Sequence, residues 1–151
     1  MRKISILIIL LIAGNTARIS AQVDSVDYKT SPFQMTIFTP PFSTNGMDNA
    51  NYVNQFSLNL FVGLSGGVDG MELGGFINVD RYFMHGFQGA GFGNTVGGNV
   101  DGFQVAGFYN AVGGDVRYVQ GAGFINATGG NQTGLQTRQL ITFNHSKMIH
   151  L

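Results

Sequence analysis

The chain has 151 residues, with eight Lys plus Arg against eight Asp plus Glu, three His and no Cys. That length holds one domain, the lack of Cys rules out a disulfide framework, and charged residues at 11% with no basic stripe leave no footprint for binding a nucleic-acid backbone. With 44% hydrophobic residues, 23 Gly and 13 Phe, the chain lacks the low-hydrophobicity, high-charge makeup of disorder and points to backbone pairing with flat aromatic packing.

The N-terminus opens with Arg2 and Lys3, runs apolar from Ile4 to Ala13, and reaches small residues at Ile19-Ser20-Ala21. A basic start, an apolar run of this length and a small residue at the cut predict a secretory signal peptide over residues 1–21. The run is shorter than the ~20 apolar residues of a spanning helix. Cleavage after Ala21 leaves 130 residues, with five basic against eight acidic side chains, a net of −3. The expected location is outside the cytoplasm: outer membrane, cell surface or periplasm.

Residues 22–53 read as an extended lead-in. Pro32, Pro40 and Pro41 all fall here, and proline at this spacing excludes a helix and a central strand. Ser43-Thr44-Asn45-Gly46 reads as a turn.

Residues 54–137 form a repeat array. From Gly70 the sequence reads GMELGGFINVDRYFMH, GFQGAGFGNTVGGNVD, GFQVAGFYNAVGGDVR and YVQGAGFINATGGNQT, four units of sixteen with nothing inserted or lost before Gly134. A fixed period means one structural element built several times and stacked. Asn54–Asp69 is an atypical first unit of the same length, where Phe56, Leu58, Leu60, Val62 and Leu64 share one parity and predict a strand with one apolar face. We number unit positions 0 to 15, with 0 at Gly70, Gly86, Gly102, Tyr118 and Gly134.

Four positions recur on what reads as a single strand face. Position 2 is Glu72, Gln88, Gln104, Gln120 and Gln136; position 4 is Gly74, Ala90, Ala106 and Ala122; position 6 is Phe76, Phe92, Phe108 and Phe124; position 8 is Asn78, Asn94, Asn110 and Asn126. Positions 3 and 7 vary and are expected on the opposite face. Gly97-Gly98, Gly113-Gly114 and Gly129-Gly130 mark a turn, replaced in the first full unit by Arg81-Tyr82-Phe83.

The expected fold is all-β. In a β-solenoid each unit is one coil, and equivalent residues stack about 4.8 Å apart, amide on amide and ring on ring. In the alternative, an antiparallel up-and-down meander or partial β-barrel, neighbours run opposite ways and like residues do not meet. The solenoid alone explains why the whole recurring face is the same in each unit. It predicts Gln88, Gln104 and Gln120, Phe92, Phe108 and Phe124, and Asn94, Asn110 and Asn126 as three stacked rows.

The units GFQVAGFYNAV and VQGAGFINAT, preceded by TPPFSTNG and FSLNLFVGLSGGVDGMELGGFIN, resemble the leptospiral-type surface repeat proteins, also common in Bacteroidetes and sometimes labelled caveolin-like. The resemblance spans about Pro40 to Gln136 and rests on repeated G-x-Q-x-A-G-F-x-N. It implies an exported envelope or surface repeat protein, and it implies no catalytic residue. After Thr137 the pattern stops: Arg138, Gln139, Leu140 and Thr142 stand where Ala, Gly, Phe and Asn are expected. Residues 138–151 read as a non-repeat tail, consistent with truncation or a frameshift. A tail without a cap signature predicts an open strand edge and self-association.

Chemistry-bearing residues are sparse. A Gln/Asn row facing solvent suits a sugar, but stacked amides satisfy one another and are expected to be structural. Gly66–Gly70 and Gly97–Gly102 approach calcium-binding Gly/Asp repeats without their spacing, and Asp101 has no counterpart in Arg117 or Thr133. His85, His145 and His150 share no metal spacing. Asn126-Ala127-Thr128 and Asn131-Gln132-Thr133 match glycosylation sequons. No cofactor or metal is expected, and no nucleic-acid partner. The expected function is a structural or interaction role at the envelope without catalysis. The alternative is a membrane-embedded piece of an outer-membrane β-protein. A polysaccharide-acting enzyme ranks last, since only Asp69, Glu72 and Asp80 approach the required carboxylate pair.

Overall fold

The computed structural model describes residues 27–39, 41–138 and 141–144. The proposed signal peptide lies outside the described residues. The strands are β1 (Lys29–Phe38), β2 (Phe42–Ser43), β3 (Tyr52–Gly74), β4 (Ile77–Ala90), β5 (Gly93–Val96), β6 (Val100–Ala106), β7 (Tyr109–Val112), β8 (Val116–Ala122), β9 (Ile125–Thr128), β10 (Gln132–Arg138) and β11 (Ile141–Asn144).

The chain is a β-solenoid. Gly86 pairs with Gly102, Gly102 with Tyr118 and Tyr118 with Gly134, each sixteen residues on. Asn78, Asn94, Asn110 and Asn126 align in the same way. These pairings are parallel, which excludes the meander.

Each coil has two walls. The first carries positions 14 to 4, as in β6, β8 and β10, and the second carries positions 7 to 10, as in β5, β7 and β9. The chain bends between the walls at Gly91-Phe92, Gly107-Phe108 and Gly123-Phe124, and bends back at the Gly-Gly pair. Backbone pairing continues through the bend, with the Phe108 N–H donating to the Phe92 carbonyl at 2.8 Å and the Phe124 N–H to the Phe108 carbonyl at 3.0 Å. Stacking so close requires glycine at position 5, since a Cβ on Gly107 would overlap the Gly91 carbonyl. Position 0 adopts positive φ, +107° at Gly86 and +119° at Gly134, and Tyr118 holds the same conformation with φ of 80°.

This bend corrects the expectation of one strand face for positions 2, 4, 6 and 8. Gln and Asn point inward from opposite walls, while Phe sits outside on the corner between them. The face reading of β3 is also inverted. Leu58 and Leu60 are exposed and Phe56 is half-exposed, whereas Ser57, Asn59 and Ser65 are buried. The apolar parity points to solvent.

The interior has two compartments. Near the phenylalanine corner it is filled by the amides of positions 2 and 8. Near the Gly-Gly corner it is filled by Val68, Met84, Val96, Val100, Val112 and Val116, at positions 10 and 14. Each buried valine contributes about 1.5–3 kcal/mol by transfer from water.

The N-terminal residues belong to the stack. β1 runs parallel to β3, with Gln34 beside Ser57 and Phe33 beside Phe56. Pro32 is accommodated because, among the described residues, β1 is the outermost strand on this wall, touched beyond only by the short antiparallel β2. Asn45-Gly46 turns the chain as expected, with Gly46 at φ 64°, and leads into a 3₁₀ helix over Gly46–Asn51 that the proline spacing did not foretell.

The first coil is not a sixteen-residue copy. Val62 pairs with Ile77 and Ser65 with Asp80, fifteen residues on, and a register shift between Ser65 and Gly67 restores sixteen. Where Arg81-Tyr82-Phe83 replaces the Gly-Gly turn, β4 continues as strand. Beyond Thr137 the backbone keeps stacking although the sequence motif has gone, with Ile141 beside Ile125 and Asn144 beside Thr128.

Candidate functional site

The asparagines of the second wall form a directional ladder. Asn78 donates to Asn94 at 3.0 Å, Asn94 to Asn110 at 2.9 Å and Asn110 to Asn126 at 2.9 Å. Asn59 starts it from the end of the first wall, its side chain lying over Gly63, which pairs with Asn78, and donating to Asn78 Oδ1 at 2.9 Å. Each amide of the repeats also donates across the interior to the position-3 carbonyl of the next coil: Asn94 to Val105 at 2.8 Å, Asn110 to Gly121 at 2.8 Å and Asn126 to Thr137 at 3.1 Å. These cross-bonds tie the two walls together. At Gly74 a Cβ would press on the Asn78 amide, whereas the later coils accommodate the Cβ of Ala90, Ala106 and Ala122 at the same position.

The glutamines of the first wall form a second ladder of opposite polarity. Gln136 donates to Gln120 at 3.1 Å, Gln120 to Gln104 at 2.9 Å and Gln104 to Gln88 at 2.9 Å. Asparagines therefore donate toward higher residue numbers and glutamines toward lower ones. Gln88, Gln104, Gln120, Asn94, Asn110 and Asn126 are all fully buried. Neither row faces solvent, and burial also withdraws Asn126 as a glycosylation acceptor in the folded chain.

The third predicted row also forms. Phe76 and Phe92 stack at 4.9 Å, Phe92 and Phe108 at 4.9 Å, and Phe108 and Phe124 at 4.5 Å between ring centroids. It lies on the outer corner, with Phe76 and Phe124 exposed.

The glutamine ladder ends on a buried carboxyl pair. Gln88 donates to Glu72 Oε2 at 2.6 Å and also to Asp80. Asn59 donates to Glu72 Oε1 at 2.8 Å, and Ser65 donates to Asp80. Both acids are sealed from solvent. Burial pushes the Glu72 carboxyl up, opposed by hydrogen bonds from Gln88, Asp80 and Asn59. Burial, and then the negative charge of Glu72, hold Asp80 well above the usual carboxylate range. Both carboxyls are thus held above the usual carboxylate range in one sealed site, where two negative charges disfavour each other.

Sequence reasoning named Glu72 and Asp80 without pairing them. The usable signal was a double substitution in one unit: Glu for Gln at position 2 and Asp for the apolar residue or Thr at position 10. Asp69, the third candidate, is elsewhere. It is exposed, 3.9 Å from His85, whose ring lies 4.6 Å from Phe83. Asp101 pairs with Arg117 at 3.4 Å. Among the described residues no three His, Asp or Glu side chains cluster to hold a metal ion. His145 and His150 lie outside the described residues.

No known protein family, curated protein or solved structure matches the chain.

Proposed function

We propose that this protein is an exported, non-catalytic β-solenoid that acts as a structural or interaction module of the cell envelope or surface. One observation carries the reading: the recurring polar side chains are consumed inside, on each other, and away from the Gly-Gly corner the walls turned outward are apolar or small. Leu58, Phe103 and Val105 are exposed on the first wall, and Phe76 and Phe124 on the corner. Large exposed apolar surfaces mark interaction sites. The pattern of residues 1–21 and the resemblance to surface repeat proteins support the envelope location. The carboxyl pair supports a structural role, since a hydrolase needs its carboxyl groups open to substrate and water.

Fractionation of cells producing the full chain tests this reading. The expected result is recovery in the envelope fraction with loss of residues 1–21, seen as a mass decrease. Retention in the cytosol with those residues intact would refute it. A second reading, full embedding as part of an outer-membrane β-protein, is favoured by the same apolar walls. Resistance to carbonate extraction would support it, and release by carbonate would exclude it.

A further inference from the structure

We propose that the phenylalanine corner of the solenoid, with the adjoining strips of both walls, seats in the acyl-chain interface of a lipid layer. This rests on the reading above and names the partner of that surface.

Charge is segregated around the coil. From Gly70 to Thr137 the acidic, basic and imidazole groups that reach solvent are Arg81, His85, Asp101, Asp115 and Arg117, at positions 11, 13 and 15. All border the Gly-Gly corner. Over positions 0 to 10 of the same coils the only such groups are Glu72 and Asp80, both buried. The rest of the circumference is apolar or small: positions 1 and 3 on the first wall, 6 on the corner, 7 and 9 on the second wall.

Shape distinguishes lipid from a second copy. On the first wall the position-1 row runs from Phe33 through Phe56, Met71, Phe87 and Phe103 to Leu135; Gly70 lies over Gln55, which sets Met71 over Phe56. Seven stacked passes of the chain, two of them within β3, at about 4.8 Å make this face about 29 Å long, and two side-chain rows make it about 14 Å wide. The resulting ~400 Å² is about half of what each partner buries in a stable protein interface. A copy laid on this flat wall would also leave the corner and the second wall uncovered. Acyl chains mould around a convex edge and cover all three.

The backbone permits immersion. Lipid tolerates only paired backbone groups, and the bend that would enter first is bonded along the axis, Phe92 to Phe76 at 2.9 Å and Phe108 to Phe92 at 2.8 Å. The polar edge carries acids and bases in near balance, so attachment depends on apolar burial rather than on anionic lipid.

The chain contains no Trp, so a single introduced indole reports locally. The apolar run Ile4–Ala13 would bring any full chain to vesicles, and the readout must therefore resolve the site. Full-length Phe76→Trp and His85→Trp variants are mixed with neutral phosphatidylcholine vesicles carrying acyl-chain bromines. Phe76→Trp is expected to shift to the blue and lose roughly half its emission, as befits a depth of about 5–10 Å, with no change at high salt. His85→Trp should keep its emission. Equal quenching at both sites, or a vesicle-bound chain with Phe76→Trp unquenched, overturns the proposal. Phe124→Trp replaces Phe76→Trp if circular dichroism shows that the latter fails to fold. A folded chain in the envelope fraction that ignores vesicles overturns the lipid partner alone and leaves the envelope module standing.

Discussion

Glu72→Gln should stabilise the protein at neutral pH and do almost nothing in acid. The wild-type interior holds two carboxyls against each other, sealed from water, with amides and the hydroxyls of Ser57 and Ser65 around them. A carboxyl raised in the folded state binds more protons there than in the unfolded chain, from its ordinary pKa of about 4 up to its folded value. Native stability therefore falls as pH climbs through that window and is fully restored below it. Glutamine at 72 continues the ladder, its carbonyl accepting from Gln88 as Gln88 accepts from Gln104, and it removes the negative charge that Asp80 faces; the cost is the Oε1 acceptor of Asn59, whose amide keeps its bond to Asn78. Replacing a buried ion pair with apolar residues of similar volume is neutral or stabilising by about 1–4 kcal/mol in other proteins, and removing one of two like charges from a sealed site is expected to gain about 1–3 kcal/mol here at pH 7. For a body of this size that is roughly 4–12 °C in Tm. The assay is thermal unfolding followed by circular dichroism at pH 7 and pH 4, for wild type and variant side by side. A Tm at pH 7 that is unchanged or lower, or a rise of equal size at pH 4, would show that the pair carries no penalty of ionisation.

Two further outcomes follow from the ladders and the bends. Asn110→Ala strands a donor on Asn94 and the carbonyls of Gly121 and Asn126; at about 1–3 kcal/mol per orphaned buried group, chemical denaturation should show a loss of at least about 3 kcal/mol. A loss below about 1 kcal/mol would mean that water or repacking satisfies those groups. Tyr118→Gly restores the residue that suits φ of 80° at a position where the ring is exposed; relief of about 1–2 kcal/mol, offset by the entropy of glycine, should raise stability by about 0.5–1 kcal/mol, and a destabilised variant would show that the ring contributes packing despite its exposure.

The period was legible because nothing is inserted between Gly70 and Gly134, and the register and like-with-like stacking because the solenoid, unlike the meander, accounts for a whole face recurring in every unit. Which side faces inward was not. Assigning Phe56, Leu58 and Leu60 to a buried face assumes that apolar residues define the core. In this narrow coil the opposed walls are tied by hydrogen bonds from side chains as short as Asn, and the amide compartment has no room for a phenyl ring. Amides that bond along the axis fill it without orphaned groups, and the rings move to the corner. The bend at Gly-Phe was missed because glycine there answers to a carbonyl of the neighbouring coil, a contact with no local trace in the sequence. The pairing of Glu72 with Asp80 depends on that same bend, which brings position 10 back across from position 2.

The two ladders run head to tail in opposite senses, and that gives assembly a handshake. Any coil joining the stack must offer an acceptor to asparagine and a donor to glutamine at the same moment. A segment arriving upside down, or slipped by half a coil, meets donor with donor and oxygen with oxygen. Near-identical neighbours ordinarily invite such mistakes; here the chemistry of each rung proofreads the one laid upon it.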